Sequence, residues 1–349
     1  MSIKELFNTA VEKKASDLHL VTGLPPILRI DGELVFIEGK KAIAGKEMEQ
    51  MIFSILSEGQ KNKFISLRDL DFGFTSDDKS RFRVNLHYER NNIGLAARII
   101  SDKMPTTEEL ETPPIIYKLL NLNQGLILVT GPTGCGKSTS MASMINYINS
   151  NRRLNIITLE DPIEYVFQSD KSIIIQRELG SDMMSFADGL KHALRQDPDV
   201  IMVGEMRDME TIATTITLAE TGHLVMATLH TYSAPQTIDR IIDIFPPHQQ
   251  NQVRMQLSMT LAGVISQRLL PKAGGGRVAA REIMINTPAV SNIIRENKIA
   301  QLKTVIETGV KDGMTSMDQD LKRLHKGKVI TKETAEGQMM NPELLEKYK

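Results

Sequence analysis

The sequence predicts an α/β protein with a mainly parallel sheet, preceded by a small α+β domain. After Ile115, five short apolar runs are separated by helical stretches, and within the runs polarity does not alternate. Such runs are typical of strands buried on both faces, as in a parallel sheet covered by helices on each side. Before about residue 100, an opening helix and short segments separated by Asp-Gly, Ser-Asp-Asp and Asn-Asn turns predict a unit that ends in an antiparallel meander. The five runs are Gly125–Thr130, Leu154–Leu159, Val200–Val203, Leu224–Leu229 and Val278–Ile285.

The composition is that of an ordinary globular protein. The chain has 349 residues, a formal net charge of -1, 41% hydrophobic and 24% charged residues. A net charge near zero argues against general nucleic-acid binding, because nucleic-acid-binding domains usually have an excess of Lys and Arg. A single cysteine, Cys135, excludes an internal disulfide and a four-cysteine zinc site. No apolar run approaches ~20 residues and the start lacks a signal peptide's apolar core, so we expect a cytoplasmic protein, peripheral to the membrane if it docks there.

The changes in pattern divide the chain into three parts. Residues 1–100 form the small α+β domain, and residues 101–114 are polar and proline-containing, as expected of a linker. Residues 115–349 form the second domain, which becomes a set of helices after about residue 287.

A glycine-rich loop predicts nucleotide binding. Gly131-Pro-Thr-Gly-Cys-Gly-Lys137-Ser138 matches the G-x-x-x-x-G-K-[ST] pattern, directly after an apolar strand and before a helical stretch. Backbone N–H groups cradle a phosphate in such a loop, the lysine contacts the β and γ oxygens, and the serine hydroxyl binds Mg²⁺. We therefore expect ATP and Mg²⁺ as ligands, with Ser138 on the metal. The predicted ATP-binding residues are Thr133, Gly134, Cys135, Gly136, Lys137, Ser138 and Thr139.

Acidic side chains follow two other strands, at the end where ligands bind in parallel sheets. Glu160, Asp161 and Glu164 follow the second run, and Glu205 follows the third, after Gly204. Glu205 is a candidate to hold Mg²⁺ through water or to orient the attacking water. Glu160 or Glu164 is a candidate general base, which must reach the γ-phosphate through one water.

Two histidines bracket the fourth run. Seven residues of extended chain span ~23 Å at ~3.3 Å per residue, so His223 and His230 cannot touch the same phosphate within one subunit. His230 lies at the carboxyl end of the strand and is the better candidate for a phosphate contact. His223 is expected to be structural or to act from another direction.

Four arginines lie on the last two strands of the first domain. Arg81 and Arg83 are two residues apart and share one strand face, while Arg90 and Arg98 follow. One hypothesis is a solvated edge strand whose charges block aggregation. The other is that some of them reach the γ-phosphate of a neighbouring subunit as arginine fingers.

Taken together, these motifs resemble those of the secretion and pilus-assembly ATPase superfamily, in its retraction branch, over nearly the whole chain. The resemblance is carried by five stretches in addition to the Walker A loop. They are Ala15–Leu20, Arg81–Asn85, the Asp box Ile157–Glu164, the Walker B stretch Asp197–Asp208 and the His box Thr221–His230.

The resemblance implies a PAS-like first domain, a RecA-like ATPase second domain and a homohexameric ring that hydrolyses ATP. It implies type IV pilus retraction through an inner-membrane platform protein, at the cytoplasmic base of the pilus. By position, Arg83 and Arg98 match the family's nucleotide-reaching arginines. Glu164 and Glu205 match its Asp-box and Walker B glutamates, and His230 matches its second His-box histidine.

Three alternative functions remain open at this point. Ala289–Glu296 departs from the retraction signature at Ser291, where arginine is common, which keeps an extension or secretion ATPase as the first alternative. The short chain and its single cysteine favour retraction, because extension ATPases carry an extra domain and a zinc-binding cysteine cluster. A RecA-like nucleic-acid motor would need a basic channel with stacking aromatics, and aromatic residues are only 5%. A small-molecule kinase would need an acceptor pocket and a lid, for which there is no motif.

Overall fold

The computed structural model describes residues 2–76, 79–100 and 104–345. Two compact units make up the chain, Met1–Lys103 with Pro162–Val166, and Met104–Asp161 with Phe167–Lys349. Of the predicted linker, residues 101–103 lie outside the described residues, and the remainder groups with the second unit. Across the described ranges, no helix combines the length and apolar character needed to cross a bilayer.

The first unit is an antiparallel sheet with three helices. Its strands pair in the order β3-β2-β1-β6-β5-β4, and β4, β5 and β6 form the predicted meander. The elements are α1 (Ile3–Glu12), β1 (Asp17–Leu20), β2 (Ile27–Ile30), β3 (Glu33–Phe36), α2 (Gly45–Phe53), α3 (Glu58–Leu67), β4 (Asp69–Thr75), β5 (Arg81–Glu89) and β6 (Asn92–Ile100).

Helix α1 packs on this sheet through one apolar stripe. Ile3, Leu6, Phe7 and Ala10 are buried, at the i, i+3, i+4, i+7 spacing of a helix face. The Phe7 ring lies 4.9 Å from that of Phe74 and 4.4 Å from that of Phe82, measured between centroids. Helix α1, which the sequence pattern predicts, therefore covers the core of this unit.

The second unit is built on a seven-stranded sheet in the order β13-β12-β7-β11-β10-β8-β9. All neighbours are parallel except β12 and β13. Its strands are β7 (Gly125–Thr130), β8 (Asn155–Glu160), β9 (Ile173–Glu178), β10 (Val200–Val203), β11 (Leu224–Leu229), β12 (Leu261–Pro271) and β13 (Arg277–Ile285). The predicted fold class, α/β with a mainly parallel sheet, is confirmed.

Helices cover both faces of this sheet. On β7, Leu126 and Leu128 join the core that includes α6 to α10, whereas Ile127 and Val129 join the core that includes α4 and α5. The helices are α4 (Pro114–Leu120), α5 (Lys137–Asn151), α6 (Phe186–Ala193), α7 (Met209–Glu220), α8 (Ala234–Asp243), α9 (Pro247–Thr260), α10 (Pro288–Arg295), α11 (Leu302–Thr308), α12 (Met317–Lys326) and α13 (Lys332–Glu336).

Two strands of the second sheet were not predicted, and one predicted strand runs the other way. Strand β9 lies at the edge of the sheet, where Ile173 is 63% exposed. It therefore lacks the two buried faces that make a parallel strand visible as an apolar run. Strand β12 begins where α9 ends, and its polar Ser266, Gln267 and Arg268 interrupt the apolar run. The predicted fifth run is a strand, but it returns antiparallel to β12 because only a short glycine-rich turn joins the two.

We expect Phe7→Ala to destabilise the first unit by about 3–5 kcal/mol, because it removes a buried ring and leaves a cavity beneath α1. Phe36→Ala is the control, since Phe36 is 54% exposed on β3, and we expect a change within about 0.5 kcal/mol. Urea unfolding followed by circular dichroism measures both. Equal losses for the two variants would contradict this account of the core.

Candidate functional site

The phosphate loop joins the central strand β7 to helix α5. Gly131, Gly134 and Gly136 all have positive φ, at 147°, 78° and 85°. A Cβ at position 131 would lie 2.3 Å from the Gln267 carbonyl oxygen and 2.6 Å from Cys135 Sγ, so that position accepts glycine alone. Helix α5 begins directly after the loop, so its N-terminus, the end of a helix that favours anions, adjoins the loop.

Lys137 is folded back across this loop. Its Nζ donates to the carbonyl oxygens of Gly131 at 2.7 Å and Pro132 at 3.0 Å, and lies 3.4 Å from His230 Nδ1. The ammonium group is thus held above the loop, where a bound phosphate would offer it anionic oxygens in place of neutral carbonyls. The contact of this lysine with phosphate oxygens stays a prediction.

The other predicted loop residues differ in exposure. Thr133 and Gly134 are exposed at the tip, while Ser138 and Thr139 are half-buried in the first turn of α5. Cys135 is buried, and burial raises the pKa of its thiol although Lys137 acts in the opposite direction. Its side chain therefore stays a neutral thiol at neutral pH.

Glu205 follows β10 and is held by two partners. Its Oε2 accepts from Arg207 at 2.8 Å, and its Oε1 lies 2.9 Å from His230 Nε2. Burial disfavours its charged form, but the Arg207 hydrogen bond and the charges of Arg207, His230 and Lys137 outweigh burial and lower the pKa of this carboxyl. Glu205 is therefore ionised at neutral pH, and both its oxygens are engaged.

The two histidines separate as predicted. His230 follows β11 at its carboxyl end and contacts both Lys137 and Glu205. His223 precedes the same strand, and its Nδ1 lies 3.0 Å from the Leu218 carbonyl oxygen and 3.2 Å from Thr221 Oγ1. His223 is therefore held at the turn between α7 and β11, away from the phosphate loop.

The three acidic side chains of the Asp box lie in different environments. Glu160 is buried and accepts from Thr158 Oγ1 at 2.7 Å and from Gln176 Nε2 at 3.0 Å, which ties it to the sheet. Asp161 is exposed, and its charge adds to that of Glu205 in raising the pKa of Arg207. Glu164 is half-buried in the segment Pro162–Val166, which groups with the first unit.

The arginines of the first unit form a cross-strand pair. Arg83 on β5 is directly opposite Arg98 on β6, and Arg98 is in turn opposite Asp17 on β1. Arg98 Nε donates to Asp17 at 2.9 Å; burial raises the pKa of this carboxyl, but hydrogen bonds from Ser16 and Arg98 outweigh it and lower the pKa. Like charges directly opposite each other cost stability, and β5 and β6 both lie inside the sheet, so the hypothesis of a solvated edge strand is wrong. The action of these arginines on a neighbouring subunit stays a prediction.

The other two arginines of this unit have different surroundings. Arg81 Nε donates to the Ile163 carbonyl oxygen at 3.2 Å, and Arg90 lies at the turn after β5 with a 90% exposed side chain.

Sequence reasoning missed two residues of this region. Arg207 lies within the Walker B stretch, two residues after Glu205, and this spacing is a signal that could have indicated it. Gln267 had no such signal, because its strand β12 was not predicted. Its side chain contacts Cys135 and Ser140 on either side of the lysine.

The residues present fit a magnesium nucleotide. The Ser138 hydroxyl and the Glu205 carboxylate are the oxygen donors that Mg²⁺ prefers, and Mg²⁺ is commonly held by one or two protein groups plus substrate phosphates and water. Among the described residues, no cluster of three or more His, Cys, Asp or Glu side chains forms a self-sufficient metal site. A cavity of about 580 Å³ adjoins the cluster, lined by Glu205, Arg207 and His230 and by side chains of α8.

Comparisons with known proteins identify the family of this chain. The family model for type II/IV secretion system proteins matches residues 102–275. The chain is 45% identical over 343 residues to the type IV pilus retraction ATPase PilT of Pseudomonas aeruginosa, covering 98% of this chain and 99% of the relative. It is 44% identical over 343 residues to a twitching motility protein of Neisseria gonorrhoeae, covering 98% and 91%.

A solved structure matches the whole chain as well. The crystal structure of the pilus retraction motor PilT with bound ADP superposes with a TM-score of 0.92 at 47% identity, covering 99% of both chains. The expected resemblance to the secretion and pilus-assembly ATPases is confirmed. The chain therefore belongs to the type II/IV secretion system protein family and is a PilT-type ATPase.

Proposed function

We propose that this chain is the ATP-driven motor that retracts a type IV pilus. The single observation that carries the ATPase chemistry is that His230 contacts both Lys137 and Glu205, beyond the carboxyl ends of neighbouring strands. The retraction role is supported by the relatives that cover nearly the whole chain, one of them a pilus retraction ATPase and one a twitching motility protein.

In this proposal the loop 131–138 binds the triphosphate through its backbone N–H groups, and Lys137 contacts the β and γ oxygens. Ser138 holds Mg²⁺, which when bound supplies positive charge to the phosphate oxygens. Glu205 orients the attacking water or holds the metal through water, and His230 places its imidazole between Glu205 and Lys137. Thr133, Gly134, Cys135, Gly136 and Thr139 complete the ATP-binding segment.

We assign the water-orienting role to Glu205 ahead of Glu164. Glu205 is in direct contact with His230, and the charge of Lys137 contributes to its low pKa. For Glu164, the only support for this role is that it matches the Asp-box glutamate of the family by position.

Arg83 and Arg98 act in trans in this proposal, on the nucleotide of a neighbouring subunit in a homohexameric ring. Their cross-strand pairing concentrates two guanidinium groups on one sheet face, and Asp17 balances one of them. A γ-phosphate is an anion that would relieve this repulsion.

The ring's partner in this proposal is the inner-membrane pilus platform protein. Binding there is peripheral, at the cytoplasmic base of the pilus, and nucleic acid is not a partner. In this proposal residues 1–100 and 115–349 are the two domains, and residues 101–114 are the linker that flexes between them.

An extension or secretion ATPase is the second candidate, and Ser291 is the observation that favours it. In the retraction signature this position commonly holds arginine. Here the Ser291 hydroxyl, on α10, donates to the Ser258 carbonyl oxygen of α9, so it joins two helices.

Deleting the gene separates these two functions. Loss of a retraction motor leaves many static surface pili, whereas loss of an extension motor leaves none, as counted by electron microscopy. The unaltered gene should restore retraction and Lys137→Ala should not, because without the ammonium group phosphate release is lost. Lys303→Ala, a lysine on α11, is the matched control and should restore retraction. Cells without surface pili after deletion would overturn the retraction role and leave the ATPase assignment intact.

We expect Glu205→Gln to lower kcat by about 10²–10⁴-fold with little change in KM, because the amide keeps its size but cannot take a proton. Phosphate release at varied ATP concentration measures both constants. Glu220→Gln, on α7 and bonded to Gln256, is the matched control and should behave as the unaltered protein. Glu164→Gln is measured in parallel, and a larger loss there would reassign the base to the Asp box.

We expect Arg83→Ala to lower kcat on the order of 10³-fold, the range of a trans-acting arginine finger. Arg98→Ala should also slow turnover and still leave a folded chain, because the buried Asp17 carboxylate keeps its hydrogen bond from Ser16 and its ion pair with Arg29. Arg90→Gln is the control, since that side chain is exposed at a turn. Unchanged turnover in both alanine variants, with the hexamer intact by light scattering, would remove the trans-acting role.

A further inference from the structure

Gln267 is a buried amide that the ATPase chemistry does not use. It lies on β12, the neighbour of β7, and only 2% of its surface is exposed. Its Nε2 donates to the Cys135 carbonyl oxygen at 2.6 Å, and its Oε1 accepts from Ser140 Oγ at 2.9 Å. Both polar ends of the side chain are therefore engaged, as buried polar groups require.

These two contacts bracket the functional part of the phosphate loop. Cys135 immediately precedes Gly136, and Ser140 lies in the first turn of α5, so the four residues 136–139 run between them. The Gln267 backbone is also close, because a Cβ on Gly131 would lie 2.3 Å from its carbonyl oxygen. One residue of the sheet thus bonds to the loop before its lysine and after its hydroxyls, and its backbone lies against the first glycine of the loop.

An amide side chain suits this position chemically. It presents a donor to a carbonyl and an acceptor to a hydroxyl in one rigid plane. Glutamate would place a second acceptor against the Cys135 carbonyl oxygen, and methionine of similar size would make neither strong hydrogen bond. Each change leaves a buried loop carbonyl without its donor.

We propose that Gln267 is a positioning residue that holds the phosphate loop in its nucleotide-binding geometry before nucleotide arrives. The inference rests on the proposed function, in that the loop binds nucleotide phosphates. The free energy needed to order residues 136–139 is then supplied by folding, so nucleotide binding does not have to supply it. Gln267 itself touches no phosphate in this proposal, so its effect falls on affinity more than on the chemical step.

The test is the equilibrium binding of a fluorescent ADP analogue to the full-length chain, which requires no hydrolysis. We expect Gln267→Met to weaken binding by about 10–100-fold, the range for losing a hydrogen bond while its buried partner stays unsatisfied. In ATP hydrolysis, KM should rise by a similar factor, while kcat at saturating ATP changes by less than about threefold. Ser140→Ala, a milder variant that removes one of the two contacts, should weaken binding by a smaller factor and covers the case that Gln267→Met does not fold.

Asn149→Leu is the matched control. Asn149 is a 1% exposed amide at the far end of the same helix, where its Nδ2 donates to the Gln168 carbonyl oxygen at 2.8 Å and its Oδ1 accepts from the Asp170 N–H at 3.0 Å. We expect a similar drop in melting temperature with unchanged ADP affinity.

Three results would overturn the positioning role. They are unaltered affinity in Gln267→Met and Ser140→Ala, equal affinity losses in Gln267→Met and Asn149→Leu, and a loss in kcat alone. Failure of the unaltered chain to bind the analogue would instead overturn the proposed function, and the inference with it.

Discussion

The site depends on the two neighbours of strand β7. Thr130, the last residue of β7, is paired with Leu229 on one side and with Ser266 on the other. Because all three strands are parallel, the residues that follow lie at the same level, where β7 and β11 end and β12 continues. Those residues are Gly131, His230 and Gln267, which are the start of the phosphate loop, the phosphate-side histidine and the buried amide.

The same reasoning brings in Glu205 from one strand further away. Val203 of β10 is paired with Ala227 of β11, and the chain beyond β10 is held against β11 because the Met206 N–H donates to the Thr228 carbonyl oxygen at 3.1 Å. On the other side the chain passes close to β8 at Gly204, where a Cβ would lie 3.1 Å from the Leu159 carbonyl oxygen. Glu205 is therefore placed against His230 by backbone pairing that the apolar strands themselves impose.

Charges of both signs are held in place at the carboxyl ends of these strands. Lys137 and Arg207 supply positive charge, Glu205 supplies negative charge, and His230 lies between Lys137 and Glu205. Fixed groups of this kind stabilise charge that develops during a reaction without having to reorganise. In the first unit the balance is different, because Arg83 and Arg98 face each other with Asp17 beside only one of them.

The local sequence by itself determined the strands with two buried faces and the groups that follow them. The glycine spacing and the lysine of the phosphate loop, the placement of His230 beyond its strand and the helix period of α1 all follow from rules that act within about ten residues. These rules suffice because each feature is a property of one strand end or one helix face. The edge strand β9 and the polar strand β12 escaped prediction, because their burial depends on which strands lie beside them. The contacts of Gln267 with the phosphate loop were decided only by the tertiary structure, since strand order and register bring it to residues 127 and 132 positions away. The pairing of Glu205 with His230 also depends on strand order, because the two residues follow different strands. The contacts of His223 are local to the α7–β11 turn, but the turn's side-chain geometry is not readable from the sequence pattern.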